Sequence, residues 1–175
     1  GGLTGYYDVT VVERPKVEKV VVRCDFPPYT GLEAVTAEFG PEGAADIRGV
    51  VGARVTVTVT AGARVKTCDM NVNNEAVPGG NQTVQDGKTR CAWNLVLAPR
   101  MTGLWSLQLR DKNGFCNSAF ERQMAVLPDN PPTVEIVAPT AREIRLKPTD
   151  RMPVEYAAKD DGRIAGAELL IRIDG

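Results

Sequence analysis

Residues 52–61 read Gly-Ala-Arg-Val-Thr-Val-Thr-Val-Thr-Ala. Successive side chains of an extended chain point to opposite faces, so Val55, Val57 and Val59 share one face and Thr56, Thr58 and Thr60 the other. β-Branched residues at period two predict a half-buried strand with the valines inward. Working outward, residues 63–70, 88–97, 103–111 and 119–127 have the same character. Turn chemistry separates these runs: Pro78-Gly79-Gly80, Asp86-Gly87 and Asn113-Gly114. Together they predict a β-meander-like series of short strands. Helix signals are poor. Glu33, Ala34, Ala37 and Glu38 favour one helical turn over residues 32–39, but Gly31, Gly40 and Pro41 bracket it, so residues 27–48 read as a long first connection or insertion.

The chain has 175 residues, 43% hydrophobic and 25% charged, a balance that supports a buried core. The formal net charge is −1, with acidic and basic residues interspersed, so neither a nucleic-acid footprint nor a patch for anionic membrane is expected. The apolar runs are of strand length, short of the roughly 20 residues of a membrane helix. Residues 1–5 carry no initiator Met, basic start or apolar signal core, so any anchor or targeting signal is expected outside this fragment.

There is no histidine, which removes the commonest general base and zinc ligand and argues against an enzyme. Cys24, Cys68, Cys91 and Cys116 include no close Cys-x-x-Cys pair, so two disulfides are a better reading than zinc. Three connectivities are open. The preferred one joins Cys68 to Cys91, on successive strands, and ties the first strand to the last through Cys24 and Cys116. Cys91 and Trp93 alternate with Leu95 and Leu97, and Trp105 with Leu107 and Leu109, predicting two inward rows. An aromatic ligand platform is the alternative, but large aromatics dominate sandwich cores. Trp105 falls where such domains use a Tyr corner to pin a connection; its indole N–H donates there instead.

Internal repetition organises the chain. Residues 6–12, Pro15 and Val17-Glu18-Lys19-Val20 are echoed by residues 120–126, Pro131-Pro132 and Val134-Glu135-Ile136-Val137. Arg54-Val55-Thr56-Val57 is echoed by Arg151-Met152-Pro153-Val154, and Gly62-Ala63-Arg64-Val65 by Gly166-Ala167-Glu168-Leu169. The copies lie about one sandwich domain, roughly 100 residues, apart. The expected fold is an all-β, antiparallel β-sandwich, immunoglobulin-like or fibronectin III-like, in a fragment of a tandem array. Residues 1–14 are read as the last strand of a preceding domain or an extension, 15–128 as a complete domain, and 129–175 as a linker with the first strands of a second.

The stretch VEKVVVRCDFPPYTGLEAVT (residues 17–36), the strand at 52–63, and PDNPPTVEIVAP (residues 128–139) followed by PVEYAAKDDGRIAGAELLIRI (residues 153–173) resemble tandem immunoglobulin-like domains of large membrane-anchored bacterial envelope proteins of unknown function. The most specific parts are Phe26-Pro27-Pro28-Tyr29-Thr30-Gly31 and the pairing of Pro131-Pro132-Thr133-Val134 with Ala158-Lys159-Asp160-Asp161-Gly162. The family's usual aromatic between the Asp pair and the Gly is missing here. The resemblance implies an extracytoplasmic place, periplasmic or cell surface, and offers no catalytic residues.

Two candidate sites follow. Asp129 and Asn130 in the Pro-rich linker, with Asp160 and Asp161, are similar to the linker calcium sites that stiffen cadherin arrays, although a complete cadherin pattern is absent. Calcium wants six to eight oxygens, and as turn formers Asn130 and Asp160 need no metal, which is the preferred reading. Apart from calcium no cofactor is expected. Tyr29 and Phe39, in the 27–48 connection, are the candidate ligand contacts. The favoured function is a non-catalytic structural spacer or interaction domain of a bacterial envelope protein, with neighbouring domains of the same chain as partners. The alternatives are a module binding a carbohydrate or peptide through the 27–48 connection, with an envelope protein or glycan as partner, and an accessory domain of an envelope enzyme. An exposed Tyr29–Phe39 patch would favour binding; packed rings would favour the spacer.

Overall fold

The computed structural model describes residues 11, 13–62, 65–141, 143–164 and 166–172. The strand expected over residues 6–12 falls outside them except for Val11, as do Ala63 and Arg64 of the strand expected at 63–70. Among the described residues there are twelve strands: β1 (Val17–Asp25), β2 (Val35–Phe39), β3 (Ile47–Val50), β4 (Arg54–Ala61), β5 (Val65–Val72), β6 (Glu75–Ala76), β7 (Asn81–Gln85), β8 (Lys88–Val96), β9 (Gly103–Asp111), β10 (Glu121–Leu127), β11 (Thr133–Ala138) and β12 (Glu155–Lys159). They form two five-stranded sheets, in the orders β2-β1-β4-β8-β7 and β3-β10-β9-β5-β6, and a two-stranded sheet of β11 and β12.

The two larger sheets stack through one core. Val55, Val57 and Val59 of β4 are buried, as are Cys91, Trp93 and Leu95 of β8, Leu97 just beyond it, and Trp105, Leu107 and Leu109 of β9. The period-two rows therefore point inward as the sequence predicts. The strand order is that of an immunoglobulin-like sandwich. With β2, β3 and the two-residue β6 set aside, β1-β4-β8-β7 corresponds to strands A, B, E and D, and β10-β9-β5 to G, F and C.

The chain departs from a meander because it crosses between the two larger sheets after β2, β3, β4, β6 and β8. A strand with one apolar face gains a second wall only from the opposite sheet, so the crossings bury both inner faces.

The helical turn expected over residues 32–39 is absent; residues 35–39 form β2. Val35-Thr36-Ala37-Glu38-Phe39 pairs antiparallel with the free side of β1, Phe39 opposite Val20 and Val35 opposite Cys24. Ladder hydrogen bonds to a waiting edge outweigh a weak helical preference in so short a segment. The chain then returns as β3, parallel to β10, with Ile47 opposite Met124. The 27–48 connection thus spans the sandwich from one sheet to the other.

Buried polar contacts hold that return. Trp105 Nε1 donates to Ala45 O at 3.1 Å, the pin expected of this residue. Phe120 meets the Trp105 ring edge-on at 5.4 Å between centroids. Arg122 lies over Phe120 at 4.4 Å and donates from Nε to Gly43 O at 2.8 Å. A second clamp, at the β5–β6 turn, is not evident from the sequence. Asn73, in the left-handed region at φ 50°, accepts from Leu104 N and donates to Arg100 O and Thr102 O.

The β11–β12 hairpin repeats the β1–β4 pairing at its first matched position. Val17 is opposite Ala61, and Val134 is opposite Ala158. The echoes align Val134 with Val17 and, through Arg151 on Arg54, Ala158 with Ala61. The register therefore agrees at a position where neither echo uses pairing information.

Candidate functional site

The motif Phe26-Pro27-Pro28-Tyr29-Thr30-Gly31 forms a tight turn beyond the end of β1. Two prolines restrict the backbone, Thr30 Oγ1 donates to Pro27 O at 2.8 Å, and Gly31 closes the turn at φ 65°, a region costly for other residues. This stiffness aims Tyr29 at the linker. Its hydroxyl donates to Asp129 Oδ2 at 2.7 Å. One residue on, Asn130 donates from its backbone N and from Nδ2 to Asp161 Oδ2, at 3.1 and 2.9 Å. The turn also lies against the 162–163 loop: a Cβ on Gly31 would sit 3.3 Å from Arg163 Cδ, and one on Gly162 3.8 Å from Thr30 Cα. The two motifs most specific to the family resemblance thus meet at one junction between the sandwich and the β11–β12 hairpin.

The electrostatics follow from these contacts. Hydrogen bonds from the Asn130 backbone and side chain hold the Asp161 carboxyl below its ordinary pKa. The hydrogen bond to Asp129, with further acidic charge nearby, pushes the Tyr29 phenol above its ordinary value. Asp129, Asn130, Asp160 and Asp161 are brought together, but as a hydrogen-bonded joint. Among the described residues no group of three or more acidic, Cys or His side chains is placed to hold a metal ion. Asp129 and Asp161 each direct one carboxylate oxygen, Oδ2, at a protein donor.

Tyr29 and Phe39 do not share a patch. Phe39 is partly buried against the core at the far end of β2, four residues or roughly 13 Å of strand from Val35. Tyr29 is 51% exposed, with its polar end committed to the linker. The sequence could not separate these roles, because the length of the 27–48 connection does not reveal that β2 carries Phe39 away from the turn.

The cysteines divide in the same way. All four are thiols in this structure. Cys68 on β5, aligned with Leu109, and Cys91 on β8, aligned with Val59, face each other across the sandwich. The Cys91 hydrogen bond, followed by burial, raises the Cys68 thiol, while the bond from Cys68 lowers Cys91. The expected Cys24–Cys116 partnership does not fit the fold. Cys24 lies beside Gly49, which pairs with Val126, beyond the Met124–Gly103 pair. Cys116 bridges Arg110, seven residues along β9 from Gly103. At about 3.3 Å per residue the two are more than roughly 20 Å apart, against a limit of about 7 Å between Cα atoms for a disulfide.

A further apolar surface lies on the hairpin. Val134, Ile136 and Tyr156 are 65, 57 and 57% exposed, and with Val154, Ile164 and Leu169 they line a groove of about 640 Å³. Among the described residues no helix is long and apolar enough to cross a membrane.

No protein-family model matches the sequence, and no curated protein does. Among solved structures the chain is similar to one in the crystal structure of the Titin M10-Obscurin like 1 Ig complex in space group P1. The identity is 11% and the TM-score 0.36, over 49% of this chain and 89% of that one. So loose a likeness carries no argument, and the immunoglobulin-like assignment rests on the strand order.

Proposed function

We propose that the chain is a non-catalytic spacer, one complete immunoglobulin-like domain joined rigidly to the opening strands of a second, within a tandem array of a bacterial cell-envelope protein outside the cytoplasm. The observation that carries this reading is the junction: Tyr29 to Asp129 and Asn130 to Asp161 tie the sandwich to the linker and the linker to the following hairpin. The matched pairs Val17–Ala61 and Val134–Ala158 support reading β11 and β12 as counterparts of β1 and β4. The exposed apolar face of the hairpin is the face that the rest of a second sandwich would cover. Pro128, Pro131 and Pro132 restrict the linker further. The mechanism is geometric, since a module with a fixed joint holds its neighbours at a set separation. A facing thiol pair is compatible with an oxidising, extracytoplasmic place. The packing of Phe39 and the engagement of the Tyr29 hydroxyl favour the spacer over a ligand module on the 27–48 connection.

The test is a distance distribution between spin labels on the exposed faces of β4 and β12. A single narrow distribution that broadens in the Tyr29→Phe, Asp161→Ala double variant is expected. A broad distribution in the unaltered chain would show the linker to be a hinge and overturn the proposal.

A further inference from the structure

The covalent clasp of immunoglobulin domains ordinarily joins strands B and F across the sandwich. In this chain those strands are β4 and β9, and their inward rows are Val55, Val57, Val59 and Trp105, Leu107, Leu109, with no cysteine. Facing thiols occur instead on β5 and β8, the C and E strands. Cys68 is aligned with Leu109 in its own sheet and Cys91 with Val59 in the other, so the two thiols approach from opposite walls of one core layer.

Access differs between them. Cys91 is 1% exposed and closed in, whereas Cys68 is half-buried near the edge of the sandwich. Beside the pair, Gln82, opposite Cys91 on β7, donates from Nε2 to Val65 O at 3.2 Å and so spans the two sheets. A reagent therefore meets Cys68 first, with Cys91 directly behind it. The remaining cysteines lack such a partner, because Cys24 and Cys116 lie toward opposite ends of the sandwich.

We propose that Cys68 and Cys91 form a relocated inter-sheet disulfide, an oxidisable clasp between strands C and E, while Cys24 and Cys116 remain thiols. The oxidant is a small-molecule disulfide of the glutathione type. The accessible Cys68 sulfur attacks it, giving up its proton as it does so, to form a mixed disulfide and expel one thiolate. Cys91 then attacks the Cys68 sulfur, forming the intramolecular bond and expelling the second. The cysteines give up two protons, which the departing thiolates take up, and the reagent is reduced by two electrons to two thiols. The clasp lies within the sandwich and does not depend on the spacer reading.

The test equilibrates the reduced chain with reduced and oxidised glutathione, quenches with an alkylating agent under denaturing conditions, and maps the peptides. The expected product is a chain lacking two hydrogens, with a linked Cys68–Cys91 peptide pair and Cys24 and Cys116 alkylated. It should show a higher denaturation midpoint than the reduced form, and Cys68→Ser should abolish both changes while Cys116→Ser leaves them intact. Three results would overturn the proposal: Cys68 and Cys91 both alkylated after oxidation, a glutathione adduct on Cys68 that never resolves, or a bridge from either residue to Cys24 or Cys116. The mapping is done on the unaltered chain, so it stands even if a variant fails to fold.

Discussion

Replacing Trp105 with Phe tests whether the indole pin is what holds the 27–48 connection in place. The perturbation removes one N–H and part of a ring while keeping an aromatic that can still meet Phe120 edge-on. Two costs follow. The carbonyl of Ala45, a residue with 0% exposure, loses the donor that reaches it, and an unsatisfied buried acceptor costs about 1–3 kcal/mol. Trp105 is itself 0% exposed, so the vacated volume has no route to solvent. Truncating a buried Trp completely to Ala costs about 3–5 kcal/mol, and the ring portion lost here is roughly a third of that, about 1–2 kcal/mol. The sum is about 3 kcal/mol, or on the order of 10 °C in melting temperature for a domain of this size. Urea unfolding followed by fluorescence is a clean assay, because Trp93, 1% exposed, remains as the reporter. The midpoint should fall with an unchanged dependence on denaturant, since the fold and its buried area persist. A loss below about 1 kcal/mol at unchanged slope would refute the pin, because the unsatisfied carbonyl alone is expected to cost that much.

The junction gives a pH prediction. The folded-state pKa of Asp161 is depressed, so the contact is at full strength above the ordinary carboxylate value and is lost as pH falls through the lowered one. Energy transfer between dyes on the sandwich and the hairpin should stay constant from neutral pH to just above the ordinary range and change below it; a profile unaltered by Asp161→Ala would count against the assignment. The raised Tyr29 phenol should ionise above its ordinary value in an ultraviolet titration and return toward it in Asp129→Ala, and an identical titration curve in both chains would remove the hydrogen bond from the account. A Cβ on Gly80 would sit 2.6 Å from Trp93 Nε1, so Gly80→Ala should destabilise by about 1–3 kcal/mol through forced repacking. Gly87→Ala, with open space around it but φ +74°, should cost only the backbone term of about 1–2 kcal/mol and leave Trp93 fluorescence unchanged. A Trp93 spectral shift in Gly87→Ala but not in Gly80→Ala would invert this reading.

The inward rows were legible without coordinates. Val55, Val57 and Val59, then Cys91, Trp93 and Leu95, then Trp105, Leu107 and Leu109 alternate with polar neighbours, and the geometry of a strand alone sends such residues to one face. The echo of Val17 in Val134 was legible too, because a repeated hydrophobic pattern survives in the letters themselves. The donor role of Trp105 followed from its chemistry and its position, though not the identity of Ala45 as acceptor.

Tertiary structure decided everything that depends on which edge a segment finds. Residues 35–39 carry a mild helical preference, yet they become β2 because β1 offers an unpaired edge, and that pairing takes Phe39 away from Tyr29. Cysteine spacing left three pairings open, whereas the crossings between sheets set Cys68 against Cys91 and drew Cys24 and Cys116 toward opposite ends. The polar residues of the linker read as turn formers in preference to metal ligands, and only the placement of the Pro28–Thr30 turn and the 160–163 loop made them partners in a hydrogen-bonded joint. Alternation is a property of neighbours along the chain and is written in the sequence. Edges, facing walls and junctions are relations between distant residues, and they exist only once burial of the core has selected one way of bringing those segments together.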